Sequence, residues 1–227
     1  MDTSKKYLVL RIYSSSEIYD QMRQLHMKYD NSISVVYVPT LDKEWIIDFD
    51  ERMIKIRGEE TITPGILSKT VKALEICLQT FEFDILVRSN MSTAIDMVEL
   101  SSQLENISGP IYGGHEWFLK WFSPHYNITK AFRDREWGLR FISGTSIVLS
   151  RDMCQYIVDH QSELDINMVD DTSIGCLLKA VECNKFKSEF QENEVNIVKG
   201  SCFYRFKDNP DLMKTFYERL FECRRIK

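Results

Sequence analysis

The chain has 227 residues, 44% of them hydrophobic and 28% charged, enough for one large domain with a full core. Its formal net charge of −5 and pI of about 5.5 argue against a nucleic-acid binder, which carries a basic face or stripe. No apolar run approaches the roughly 18 to 20 residues that span a membrane, and the start, Met1-Asp-Thr-Ser-Lys-Lys6, leads into a strand rather than a signal peptide, so a cytoplasmic protein is expected.

Tyr7-Leu-Val-Leu-Arg-Ile-Tyr13 is rich in strand formers and interrupted only by Arg11. Ser16 is placed to cap a helix over 17–29, and a second strand follows over 33–38, ended by Pro39. Strand, helix and strand at this spacing predict a βαβ unit with parallel, right-handed pairing. Short strands are expected at 45–48 and 53–56. Thr63 and Pro64 have the pattern of an N-cap followed by proline at the first helical position. The helix they open runs to about 81, with Ile66, Leu67, Val71, Leu74, Cys77 and Leu78 at three- and four-residue spacing.

The next stretch organises the rest. Phe83-Asp-Ile-Leu-Val-Arg-Ser-Asn-Met-Ser-Thr93 reads as a strand buried on both faces that runs into a polar elbow, Arg88, Ser89, Asn90, Ser92 and Thr93. Ligands of open α/β sheets bind just past the carboxyl ends of such strands. Ser92 or Thr93 is expected to cap a helix to about 104. The segment 113–125 is unusually aromatic, and both a surface groove and core packing suit it. A strand containing Gly144 is expected over 141–149, where the glycine implies a bulge or close approach of a ligand. Ser150 is placed to cap a helix over 151–160. Asp170 and Asp171 open another over 172–181, 195–198 reads as a strand, 200–207 as a loop or strand end, and Asn209-Pro210 opens a last helix to about 224. With no repeat or linker, residues 1–227 read as a single domain, α/β in class, with a mostly parallel central sheet flanked by helices.

Two sets of residues can carry chemistry. Adjacent carboxylates at a helix start, Asp170 and Asp171, ordinarily act as caps; adjacent residues on a turn also point in different directions, so one can cap while the other faces a cleft as a general base. Lys69, Arg88, Arg205 and Lys207 lie near helix starts or strand ends, where a phosphate is readily held. The six cysteines form no CxxC pair and the four histidines have no metal-ligand spacing, which favours reduced thiols and argues against a zinc enzyme.

In this order the motifs resemble the GT-A glycosyltransferases of the Fringe and β-1,3-galactosyltransferase type, most of all the compact versions encoded by large DNA viruses. Pro64-Gly-Ile-Leu-Ser-Lys-Thr-Val-Lys-Ala-Leu74 is similar to the family's helix with a Lys-Thr-Leu step. Phe83-Asp-Ile-Leu-Val-Arg-Ser-Asn-Met-Ser92 is similar to its strand leading into the Asp-x-Asp motif. Ser143-Gly-Thr-Ser-Ile-Val-Leu-Ser-Arg-Asp152 resembles its Ser-Gly-Gly strand, Val169-Asp-Asp-Thr-Ser-Ile-Gly-Cys-Leu-Leu178 its acidic motif, and Cys202-Phe-Tyr-Arg-Phe-Lys207 the C-terminal His-x-Arg-x-Lys segment of the viral members.

The resemblance implies a GT-A fold and transfer, with inversion, of a sugar from a nucleotide-sugar donor, UDP-linked, to a glycan hydroxyl. The setting would be the cytoplasm, that of a host cell if the protein is viral. It implies Asp171 as the base, with Asp170 second. Lys69, Arg88, Ser89, Asn90, Ser92, Arg205 and Lys207 would hold the donor, and Gly144, Trp117 and His125 the acceptor. The Asp-x-Asp position holds Asn90-Met91-Ser92, and Phe203 or Cys202 replaces the C-terminal histidine. Three arrangements therefore stay open. Asn90 and Ser92 hold Mn or Mg through neutral oxygens; the four basic residues replace the metal; or the domain binds a sugar nucleotide or glycan without turnover.

Overall fold

A run rich in aromatic and aliphatic β-formers, Tyr7–Ile12, forms β1 at the middle of the central sheet. The computed structural model describes residues 5–119 and 139–225. After β1 come α1 (Glu17–Tyr29), β2 (Ile33–Tyr37), β3 (Trp45–Asp48), β4 (Met53–Ile56), α2 (Gly65–Thr80), β5 (Ile85–Asn90), β6 (Thr93–Ile95) and α3 (Met97–Leu104). Then follow β7 (Ile111–Gly114), β8 (Glu116–Leu119), β9 (Leu139–Ile142), β10 (Ile147–Ser150), α4 (Arg151–Asp159), α5 (Asp170–Leu177), β11 (Asn184–Lys187), β12 (Glu189–Glu192), β13 (Ser201–Arg205) and α6 (Pro210–Arg225).

Eight strands form one sheet in the order β11-β7-β10-β5-β1-β2-β4-β3. Its pairs are parallel except β10 with its two neighbours and β3 with β4, so the expected mostly parallel α/β sheet flanked by helices is what the chain forms. The βαβ unit is present, with Leu10 opposite Ile33 in the parallel β1–β2 pair. A second sheet, β12-β13-β6, lies at the carboxyl end of β5, and β8 pairs with β9 alone.

Strand alternation decides which side chains reach which helices. Leu10, Ile12 and Leu86 pack with Leu74 and Ile76 of α2 and with Met153 and Ile157 of α4. Val9, Ile85 and Val87 pack on the other face, with Leu100 and Leu104 of α3 and with Phe203 of β13. A third cluster joins Met22 of α1 to Phe216 and Tyr217 of α6 and to Tyr204 and Phe206. By the same period Arg88 shares the face of Leu86, under α2, and Arg11 shares the face of Val9.

Several local expectations are corrected. The helix after the elbow is capped by neither Ser92 nor Thr93: residues 93–95 first pair antiparallel with β13, and Asp96 then caps α3 by accepting from the N–H groups of Val98 and Glu99, each at 3.1 Å. The strand expected over 141–149 is two strands in different sheets, joined by a turn that contains Gly144. Ser150 makes no cap bond; its Oγ accepts from Ile111 N–H at 3.0 Å. The N–H of Gly65 is accepted by Thr61 Oγ1 at 3.0 Å, so Thr61 rather than Thr63 serves the start of α2. Residues 195–198 are not a strand: the N–H of Val198 donates to the Tyr204 hydroxyl at 2.9 Å, outside any ladder. The polar strands β11 and β12 take the sheet edges instead, with Phe186 buried between exposed neighbours. Residues 201–205 are a full strand. The helix expected over 172–181 starts at Asp170 and gives way at Leu178 to a 3-10 turn, Leu178–Ala180.

Candidate functional site

The strand period turns Arg88 inward at the last buried positions of β5, where no water can solvate its charge. It is 2% exposed, and its solvation is replaced by three acceptors. Nη2 meets Asp170 Oδ2 at 2.5 Å, Nη1 donates to Asn90 Oδ1 at 2.7 Å, and Nη1 also donates to the carbonyl of Gly144. The same Asp170 oxygen accepts from Thr70 Oγ1 at 2.6 Å, one residue past Lys69 on α2. One buried guanidinium thus ties together β5, the elbow, the Gly144 turn and the start of α5. Its Nε is buried without a partner.

Asp171 is the second carboxylate of the pair and is only half-buried. Its Oδ2 accepts from the N–H of Gly144 at 2.9 Å, and its Oδ1 from Thr172 Oγ1 at 3.0 Å. Asp170 Oδ1 accepts from the backbone N–H of Asp171 at 2.9 Å. The two carboxylates therefore take the two roles that adjacent helix-start residues allow: Asp170 is locked inward, and Asp171 reaches the Gly144 turn. Burial and the negative charge of Asp170 raise the Asp171 carboxyl above its ordinary 3.8, against the pull of Gly144 N–H and Arg88. A Cβ on Gly144 would lie 2.7 Å from Arg88 Nη1 and 3.3 Å from Asp171 Oδ2, so the glycine is what lets this turn approach both.

Lys69 sits on the same side of the sheet, fully buried. Its Nζ donates to the carbonyl of Tyr13 at 2.8 Å, just past β1, and to Glu60 Oε2 at 2.7 Å. Burial lowers its pKa, opposed by Glu60. The Glu60 carboxylate also accepts from Ser14 Oγ at 3.2 Å and from Tyr37 N–H at 3.3 Å. Lys69 and Arg88 are thus both neutralised by a neighbouring acid. Ser89 is buried, its Oγ donating to the carbonyl of Thr145 at 2.7 Å, and Ser92 is 3% exposed.

The small sheet brings the C-terminal basic segment to the elbow. Arg205 pairs with Thr93 across β13 and β6, and the N–H of Phe206 donates to the carbonyl of Ser92 at 2.8 Å. Arg205 is half-buried with an unpartnered Nε; Lys207 is exposed, and its Nζ lies 2.9 Å from Glu192. Trp117, 51% exposed on β8, pairs with Phe141 of β9, whose chain continues into the Gly144 turn. His125 lies outside the described residues.

Sequence reasoning did not single out Thr70 or Glu60, both of which complete this cluster. Thr70 stands in the Lys-Thr step of the α2 motif with no role of its own, and Glu60 in an unremarkable acidic pair. Arg11 did leave a signal, as a charge inside an otherwise apolar strand.

The elbow does not fit a divalent cation. Magnesium and manganese require hard, preferably anionic oxygens, whereas the Asn90 oxygen already accepts from a guanidinium, and the Asp170 carboxylate is held by the same group. Among the described residues no three His, Cys, Asp or Glu side chains are arranged to hold a metal.

No family model matches the sequence, and no curated protein matches it. Among solved structures, a glycosyltransferase involved in glycosylation of the major capsid of PBCV-1 aligns with a TM-score of 0.48 and 7% identity, over 96% of this chain and 99% of that one. The inositol-1-phosphate CTP transferase of T. maritima aligns with a TM-score of 0.46 and 9% identity, over 98% of each chain.

Proposed function

We propose that the chain is a GT-A glycosyltransferase that moves a sugar from a nucleotide-sugar donor, UDP-linked, to a hydroxyl of a glycan, with inversion. The observation that carries this reading is the half-buried Asp171. It is fixed by the Gly144 N–H beside the buried Arg88–Asp170 pair, at the carboxyl end of a central parallel strand. The motif resemblance supports the same assignment.

In this reaction the acceptor hydroxyl attacks the anomeric carbon from the face opposite the nucleotide diphosphate. The new glycosidic bond forms as the bond to the diphosphate breaks, and the hydroxyl proton passes to Asp171. A carboxyl raised above the ordinary aspartate range is a stronger base than a solvated one, and such a group contributes roughly 10²- to 10⁴-fold. Charge on the departing diphosphate is met by Arg205 and by Lys207, whose ion pair with Glu192 is solvent-exposed and exchangeable; of the four basic candidates these two are not buried. Lys69 and Arg88, each paired with an acid, add to the field and hold the framework. Asn90 and Ser92 line the donor side, and Trp117 and Gly144 the acceptor side. Mn or Mg has no role in these steps, because the elbow's oxygens do not suit it.

A thermal-shift panel of UDP, GDP and their sugars, followed by transfer assays with the sugars that bind, tests the assignment. Binding and transfer by the wild-type chain, with transfer lost and binding kept in Asp171→Asn, are expected. No shift with any nucleotide sugar would sink it. A second reading, a domain that binds the donor without turnover, is favoured by one feature, the absence of carboxylates at Asn90-Met91-Ser92. Any measured transfer or donor hydrolysis eliminates it.

A further inference from the structure

The elbow is held from behind by a buried polar network that the chemistry above does not use. Arg11 is fully buried in β1, on the face opposite Arg88. Its Nη1 donates to the carbonyls of Asn90, at 3.4 Å, and of Thr93. Its Nε donates to Ser32 Oγ at 2.9 Å, and its Nη2 to Asp30 Oδ2 at 2.8 Å. His26, 1% exposed on α1, places Nε2 at 2.7 Å from the carbonyl of Met91. A carbonyl only accepts, so Nε2 carries the proton. His26 Nδ1 lies 2.7 Å from the Tyr217 hydroxyl and 3.2 Å from Asp30 Oδ2, and the same hydroxyl lies 2.9 Å from Asp30 Oδ2. With Phe206 N–H on the Ser92 carbonyl, all four carbonyls from Asn90 to Thr93 have a partner, three of them within this one network.

This arrangement is more than local satisfaction of buried groups. A turn at a strand end is usually free to adjust, because its backbone faces water. Here three of its backbone oxygens are fixed by side chains from β1 and α1, and His26 is bonded in turn to Tyr217 of α6, 191 residues away in the chain. α6 holds a second point on the same segment: Arg224 Nη2 lies 2.5 Å from Asp96 Oδ2, the cap of α3. A site must be held to about half an ångström by such supporting contacts to act well.

We propose that His26, Arg11, Asp30 and Tyr217 are positioning residues that set the geometry of the donor-binding elbow and couple it to the C-terminal helix. The proposal rests on the elbow being the donor side of the site. They do not touch the substrate; they act through the carbonyls of Asn90, Met91 and Thr93.

Hydrogen exchange of the full chain tests it independently of activity. His26→Leu removes the donor to Met91, and Tyr217→Phe removes only the hydroxyl that joins α6 to His26 and Asp30. Amides of residues 91–94 are expected to exchange at least tenfold faster in His26→Leu and about threefold faster in Tyr217→Phe, with residues 85–87 unchanged. His26→Gln, which keeps an N–H donor, is expected to recover most of the protection. UDP affinity should fall in parallel, by about tenfold in His26→Leu. Unchanged exchange at 91–94 in folded Tyr217→Phe overturns the proposal, and so does faster exchange with unaltered UDP affinity. If the wild-type chain binds neither UDP nor any nucleotide sugar, the proposed function itself fails, and the exchange data still report whether the network holds the elbow.

Discussion

Arg88 Nη2 and Asp170 Oδ2 meet at 2.5 Å where neither charge reaches water. Breaking such a pair by removing one partner leaves a buried, uncompensated charge, at a cost of about 3–5 kcal/mol. Arg88→Met is therefore expected to destabilise the fold by about that amount in urea unfolding, because Asp170 is left with Thr70 and the Asp171 N–H alone. Arg88→Lys keeps the charge but has one nitrogen where Arg88 uses two, so it cannot serve Asp170, Asn90 and Gly144 together. It should recover only part of the loss. Equal stability of Arg88→Met and the wild-type chain would show that the pair does not hold the site together.

Asp171→Asn separates chemistry from stability. Because burial and Asp170 raise the folded-state pKa of Asp171, the folded chain binds this proton more tightly than the unfolded chain does. Stability from this residue is greatest at low pH and falls as pH rises from the ordinary 3.8 through the raised value. With Asp171 as the proposed base, activity runs the other way, since that base must be deprotonated. The Asn variant should thus lose transfer by at least a hundredfold, yet unfold at the same or a higher temperature at neutral pH. A large drop in its melting temperature would argue that Asp171 is a structural cap.

The central sheet was legible because β1, β2, β4 and β5 carry short, mostly apolar runs bounded by turn residues, and the periodic apolar face of α2 was equally plain. The clustering of Arg88, Asp170, Asp171 and Gly144 was not. Gly144 and Asp170 are 56 and 82 positions from Arg88, and only the fold brings them together. The edge strands β11 and β12 escaped because Asn184-Lys-Phe-Lys187 has a single buried residue, so neither propensity nor alternation marks it. Residues 93–95 read as the start of a helix because the competing partner, β13, lies more than a hundred positions away.

Gly144→Ala probes how tightly the turn must approach. The added carbon would lie 2.7 Å from Arg88 Nη1 and 3.3 Å from Asp171 Oδ2, and Arg88 is buried and held by Asp170 and Asn90. Either the turn moves or the guanidinium gives up a partner. A loss of about 1–3 kcal/mol is expected for such overpacking, together with a fall in transfer larger than the stability loss explains. Wild-type transfer in this variant would mean that the Gly144 N–H does not fix Asp171 in the working enzyme.

Metal removal gives the last test. In a site built on paired carboxylates, the donor diphosphate binds through a cation, and chelation abolishes binding. Here the elbow presents Asn90, whose oxygen faces Arg88, and a buried Ser92, while Arg205 is brought alongside by the β6–β13 pairing and Lys207 follows Phe206, whose N–H bonds the Ser92 carbonyl. Arg88 is already neutralised by Asp170, so in the proposed site the charge that attracts a diphosphate is that of Arg205 and Lys207. The thermal shift produced by UDP or its sugars should therefore be the same with manganese as with EDTA. It should shrink as salt rises, and fall several-fold in affinity when Arg205 and Lys207 are both replaced by Met. A shift seen only with manganese would require carboxylate ligands at the elbow that the described residues do not supply, and would overturn the assignment of the diphosphate to these side chains.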